Sequence, residues 1–140
     1  MEGLSPGIEH ILEICALLEE HRAGDVKALD MRHLHLWTDF FIIATVSSGA
    51  HQAGLLRHLK DYAAGHDFAF RTGRRIDDSW NPVDLGGAVV HLMNAVSREF
   101  YELEELWNNA GIVFPGAYRR INPQAQTYSS KPSSYSTSSS

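Results

Sequence analysis

A chain of 140 residues, 44% hydrophobic and 21% charged, is the size of one domain around one core and leaves no room for a second. Its formal net charge of −5 excludes a protein whose affinity comes from many phosphate contacts, since those need clustered Lys and Arg; little or no direct nucleic-acid binding is expected. No run of about 18 apolar residues offers a membrane span, no secretory or transit layout opens the chain, and a single Cys15 on an apolar stripe suits a reducing cytoplasm.

Ser5-Pro6 reads as a helix start, hydroxyl at the N-cap and proline in the first turn, and Ile8, Ile11, Leu12, Cys15 and Leu18 follow at helical spacing before Gly24. Alternation over 26–31 predicts a short strand. Phe40-Phe41-Ile42-Ile43-Ala44 is apolar at every position, which predicts a central strand covered on both faces. Ser47-Ser48 offers a cap for a second helix whose apolar face is Ala53, Leu56, Leu59 and Ala63, ending at Gly65. Phe68-Ala69-Phe70 is a weak third strand.

Two further strands, 80–85 and 88–93, flank Gly86-Gly87, a dipeptide that supplies the positive backbone angles of a tight hairpin turn. Pro82 cannot donate to a ladder, so its strand belongs at a sheet edge or carries a bulge. A last helix over 97–109 is expected to bury Phe100, Leu103, Leu106 and Trp107, to show Glu99, Glu102 and Glu105, and to end at Gly111. From Pro123 the composition is Ser, Pro, Gln, Thr and Tyr, with too little apolar area to offset the entropy of ordering it. These elements predict an α/β domain over 1–112, a mixed five-stranded sheet with helices packed on it, and a flexible Ser/Pro-rich tail over 113–140.

Candidate chemistry is sparse. His33-Leu34-His35 alternate, and His51 and His58 stand two turns apart on a helix, but neither pair has the third and fourth ligands that zinc takes, so no metal or cofactor is expected. His91, inside an apolar strand, reads as a hydrogen-bonded, partly buried ring. There is no nucleophile elbow and no phosphate loop. Adjacent carboxylates on an extended chain point to opposite faces, so Asp77 and Asp78 do not converge on one ion. Trp80, at the start of a proline-bearing strand, is either a core residue or an anchor for a partner.

Several motifs occur together: Thr38-Asp39 opening the apolar strand, Trp80 with Val83-Asp84-Leu85-Gly86, Val89-Val90-His91, and Arg98, Tyr101-Glu102-Leu103-Glu104 and Leu106-Trp107. In order and spacing, over about residues 8–110, they resemble the Iojap family of ribosomal silencing factors. The resemblance implies a nucleotidyltransferase-like topology without the catalytic motif, a protein that is not an enzyme, and a cytoplasmic partner, the large ribosomal subunit. There such factors bind the ribosomal protein numbered fourteen and block small-subunit joining, repressing translation; the family also allows a homodimer. The expected partner-binding residues are Trp80, Val83, Asp84, Met93, Arg98 and Tyr101. Where the family carries Glu-Gly, an apolar stretch and an aspartate, this chain has Thr72-Gly73, Asn81-Pro82 and Gly87, all expected on or near the docking surface. Two readings compete with docking on the ribosome: a magnesium-dependent nucleotidyltransferase using Asp39, Asp77 or Asp84, and a dimeric adaptor with a non-ribosomal partner.

Overall fold

The computed structural model describes residues 4–34, 38–72, 79–101, 110–116 and 119–120. The expectations for His35, Gly73, Asp77-Asp78, residues 102–109 and residues 121–140 lie outside the described residues.

The first helix, α1, spans Ile8–Glu20 and buries Ile11, Ile14, Cys15 and Leu18. Gly7 is its N-cap, not Ser5, and the Gly7 N–H donates to His10 Nδ1 at 3.0 Å. The Ser5 hydroxyl is spent elsewhere, on the Gly86 carbonyl at 3.0 Å. At the other end Arg22 takes the left-handed conformation, φ 72°, while the Arg22 N–H donates to the Glu19 carbonyl and the Ala23 N–H to that of Leu18. Those two bonds satisfy carbonyls that a helix end leaves open. Gly24 does not end the helix but opens β1, Gly24–Asp30, and a single 3-10 turn, Arg32–Leu34, follows it.

Strand β2, Phe40–Thr45, is buried from Phe40 through Ala44, as an all-apolar run requires. Helix α2, Gly49–His66, is capped by Ser48, whose hydroxyl accepts the His51 N–H at 3.0 Å. Its buried face is Gln52, Leu55, Leu59 and Ala63, whereas Ala53 is exposed and Leu56 only partly covered, so the expected stripe is rotated by about one position. Phe68 makes only an isolated bridge to Leu4, and the third strand, β3, is Arg71–Thr72. Then come β4, Trp80–Asp84; β5, Ala88–Met93; α3, Ala95–Tyr101; β6, Gly111–Phe114; and β7, Arg119–Arg120. The Asn94 side chain accepts the Ser97 N–H at 2.8 Å, which starts α3 two residues ahead of the expected position.

The sheet is mixed, in the order β3-β4-β5-β2-β1-β6-β7, so among the described residues its strands number seven where five were expected. Strand β2 runs parallel to β5 and antiparallel to β1. Gly111 begins a strand, and β6 crosses the boundary expected at residue 112, with β7 beyond it. One face of the sheet, with Phe40, Ile42, Val83, Val90 and Leu92, packs on Ile11, Ile14 and Leu18 of α1 and Leu55 and Leu59 of α2. Leu29, Met31, Phe41, Val89, Ala110 and Ile112 form a smaller cluster on the other face. Each fully buried side chain of this size contributes on the order of 1.5–3 kcal/mol, as an upper estimate.

Pro82 is accommodated without a bulge. Strand β4 pairs in regular register with β5, closed by Leu85 N–H to the Ala88 carbonyl at one end and Asn94 N–H to the Ser79 carbonyl at the other. Antiparallel pairs alternate, so Pro82 falls opposite His91 at a non-hydrogen-bonded position and its nitrogen faces away from β5. On that outer side the described residues of β3 pair with Val83 and Asp84. No ladder bond to β5 is lost.

Two substitutions test the backbone reading. Arg22→Gly removes a left-handed cost of roughly 1–2 kcal/mol and adds part of it back as unfolded-chain entropy, so stability rises by about 0.5–1 kcal/mol. Gly87→Ala forces a side chain onto φ 148° and against Ser5 and Pro6, both 3.4 Å from the added carbon, and loses about 1–3 kcal/mol. Urea unfolding at pH 7 reads both.

Candidate docking face

Alternation along β4 turns Asn81 and Val83 inward and leaves Trp80, Pro82 and Asp84 half-exposed in a row on the opposite face. The six expected partner-binding residues therefore divide. Trp80 and Asp84 share that row. Val83 and Met93 are both 0% exposed, one in the main core and the other beside Trp80 as its cross-strand partner, so neither offers side-chain surface. Tyr101 is the last residue of α3, and nothing of its side chain is described.

Arg98 is also buried. Its Nη1 donates to Thr45 Oγ1 at 2.8 Å, and its Nη2 lies 3.6 Å from Asp25 Oδ2. The guanidinium therefore ties α3 to the ends of β2 and β1 instead of facing a partner. A buried cation with partners on two other elements fixes helix position. With Ser97 and Arg98 turned inward, Val96 and Phe100 become the exposed face of α3, at 76% and 75%. Phe100 is thus not in the core, contrary to the expectation drawn from helical periodicity. The Ser79 and Ser97 hydroxyls are hydrogen-bonded, which sets the first turn of α3 beside the Trp80 end of β4.

Trp80 is held from beneath. Its indole Nε1–H donates to His91 Nδ1 at 2.9 Å. His91 is 6% exposed, its ring 4.6 Å from that of Phe41, and burial pushes its pKa down to about 4. Asp84 accepts the Gly86 N–H on Oδ1 at 2.8 Å and pairs through Oδ2 with Arg71 at 3.2 Å. That exposed ion pair orients a carboxylate at the rim and adds little stability.

The departures from the family pattern sit in different places. Thr72 is exposed on β3. Asn81, expected near the docking surface, is 4% exposed and donates to Gln52 Oε1 at 3.4 Å, so it joins β4 to α2 inside the protein. Gly87 sits in the turn against Ser5 and Pro6.

Elsewhere, side chains that carry chemistry are committed to structure. His51 donates from Nε2 to the His21 carbonyl and accepts from the Ser47 N–H, and His58 stacks on His21 at 3.6 Å. Burial first, and Glu19 second, push the Cys15 thiol up to about 12, which suppresses the nucleophilic thiolate. Among the described residues no group of three or more His, Cys, Asp or Glu side chains is placed to hold a metal ion. No described helix is long and apolar enough to cross a membrane.

The buried imidazole has a measurable consequence. His91 titrates near 6.5 when unfolded and near 4 when folded, so the stability tied to its neutrality is complete above pH 6.5 and is lost as pH falls toward 4. The full difference is about 3 kcal/mol. Urea midpoints between pH 4 and 7.5 should show the loss in the wild type, and His91→Asn should flatten it by that amount.

Comparison with known proteins places this geometry. The profile of the family described as "Ribosomal silencing factor during starvation" matches residues 6–140. The ribosomal silencing factor of Bacillus subtilis is 35% identical over 102 residues, 71% of this chain and 86% of that protein. The chloroplastic Iojap protein of Arabidopsis thaliana is 33% identical over 71% of this chain, which spans only 42% of that longer relative. The mouse protein named "Mitochondrial assembly of ribosomal large subunit protein 1" is 31% identical over 67% of this chain and 43% of its own length. A crystal structure from Bacillus halodurans superposes with a TM-score of 0.58 at 29% identity, covering 71% of this chain and 94% of that one. One from Chromobacterium violaceum does so with a TM-score of 0.59 at 25% identity, covering 84% and 98%. The chain belongs to the ribosomal silencing factor family.

Proposed function

We propose that this protein docks on the large ribosomal subunit, at its ribosomal protein numbered fourteen on the subunit interface, and represses translation by keeping the small subunit from joining. The observation that carries the reading is the half-exposed row Trp80, Pro82 and Asp84 on a strand paired with β5, in a chain of the silencing-factor family. The name of the mouse relative points to the same subunit.

Steric exclusion asks for a rigid surface and not for bond chemistry. Strand β4 meets that demand because its register is fixed along its whole length, so little backbone entropy is lost on docking. An indole presents large apolar area with few rotatable bonds, and interface tryptophans often contribute about 2 kcal/mol or more. Asp84 at the other end of the row supplies charge selectivity at the rim, where it affects partner choice more than affinity. Val83, Met93 and Arg98 support this face from inside.

Co-sedimentation with purified bacterial large subunits tests the reading. Trp80→Ala should weaken binding by about 30-fold, the equivalent of about 2 kcal/mol. The same variant should restore subunit joining followed by light scattering, while circular dichroism shows it still folded. Undiminished co-sedimentation of Trp80→Ala would remove the indole from the interface. Wild-type protein that binds no large subunit but captures another protein from a lysate would favour an adaptor role.

A further inference from the structure

We propose that His91 is a positioning residue for the docking face, its unprotonated Nδ1 holding the Trp80 indole in the pose that a partner meets. The inference rests on the docking role of Trp80 and deepens it.

Indole nitrogen only donates, so a fixed indole needs an acceptor within reach. Directly across the hairpin from Trp80 stands Met93, whose thioether is a weak acceptor. His91 is two residues along the same strand, on the same face and diagonal to Trp80, within reach of a long side chain. It supplies the acceptor at 2.9 Å. Because Nδ1 accepts, the ring proton of the neutral imidazole is on Nε2.

The surroundings of the ring indicate why a histidine stands there. Phe41 lies 4.6 Å away on β2, Pro82 is directly opposite on β4, and the ring is 6% exposed. Everything about that setting suits an apolar side chain. Nε2 is buried and has no hydrogen-bond partner among the described residues, so the histidine incurs a desolvation cost that leucine would avoid. What it supplies in return is the acceptor for the indole. Protonation at Nδ1 would set two donors against each other; burial keeps the ring neutral, and no nearby charge contributes to that shift. The indole pose is therefore insensitive to pH throughout the neutral range.

The test compares His91→Leu, which fills the space without an acceptor, with His91→Asn, whose Oδ1 takes the place of Nδ1. Both are measured by co-sedimentation with purified bacterial large subunits, alone and combined with Trp80→Phe. His91→Leu should weaken binding about 10-fold and His91→Asn should restore it to within about 3-fold, whereas in the Trp80→Phe background the two should bind alike. Nitrogen-15 shifts of the wild-type protein at pH 7 should show Nδ1 unprotonated; a protonated Nδ1 overturns the proposal whatever the variants do. If His91→Leu binds like the wild type while Trp80→Ala is impaired, the positioning role is overturned and the docking role of Trp80 stands. If Trp80→Ala is also unimpaired, both are overturned.

Discussion

Gly86 and Gly87, at φ 85° and 148°, close a two-residue turn between β4 and β5, and the register that turn imposes decides which side chains each strand presents. A slip of one residue would exchange the two faces of β4, sending Trp80 and Asp84 into the core and Val83 to the surface. The turn is held from several directions. The Gly87 carbonyl accepts the N–H groups of Asp39 and Phe40, each at 3.1 Å, and so aligns the start of β2 with the start of β5. The Ser5 hydroxyl reaches the Gly86 carbonyl, and Asp84 accepts the Gly86 N–H. One tight turn thereby sets the parallel pairing at the centre of the sheet and the row of residues at its margin.

The proposed docking face depends on that inner scaffold more than on its own surface contacts. Met93 and His91 lie along β5 opposite and diagonal to Trp80, with Phe41 beside His91 on the neighbouring strand. Arg98 plays a comparable part for α3 by reaching Thr45 and Asp25. A substitution at one of these buried positions can therefore alter partner binding without touching the partner. Val83, Met93 and Arg98 influence the face by where they hold Trp80 and α3.

Much of the architecture was legible in the residues. Five consecutive apolar residues from Phe40 announce a central strand, Gly-Gly between two apolar runs announces a hairpin, and Ser48 ahead of α2 announces a cap. Each is a local signal with a local cause. Strands β6 and β7 were less legible because β6 has only four residues, follows a helical pattern and gains its stability by pairing with β1. Ile112-Val113-Phe114 carries the right residue types, but nothing nearby in the chain shows that β1 has an open edge to receive it. Asn94 was a readable N-cap that the apolar spacing of the following helix obscured.

The sequence by itself determined the alternation of β4, the tight turn that pins its register and the family pattern, from which Trp80, Val83, Asp84, Met93, Arg98 and Tyr101 were expected to meet a partner. Only the tertiary structure decided which half of each alternation meets solvent. Period-two and helical patterns name two faces but not the one that will be covered, since covering depends on elements distant in the chain. That is why Val83, Met93 and Arg98 proved to be internal, why Phe100 proved to be exposed, and why a histidine inside an apolar strand came to lie against the tryptophan.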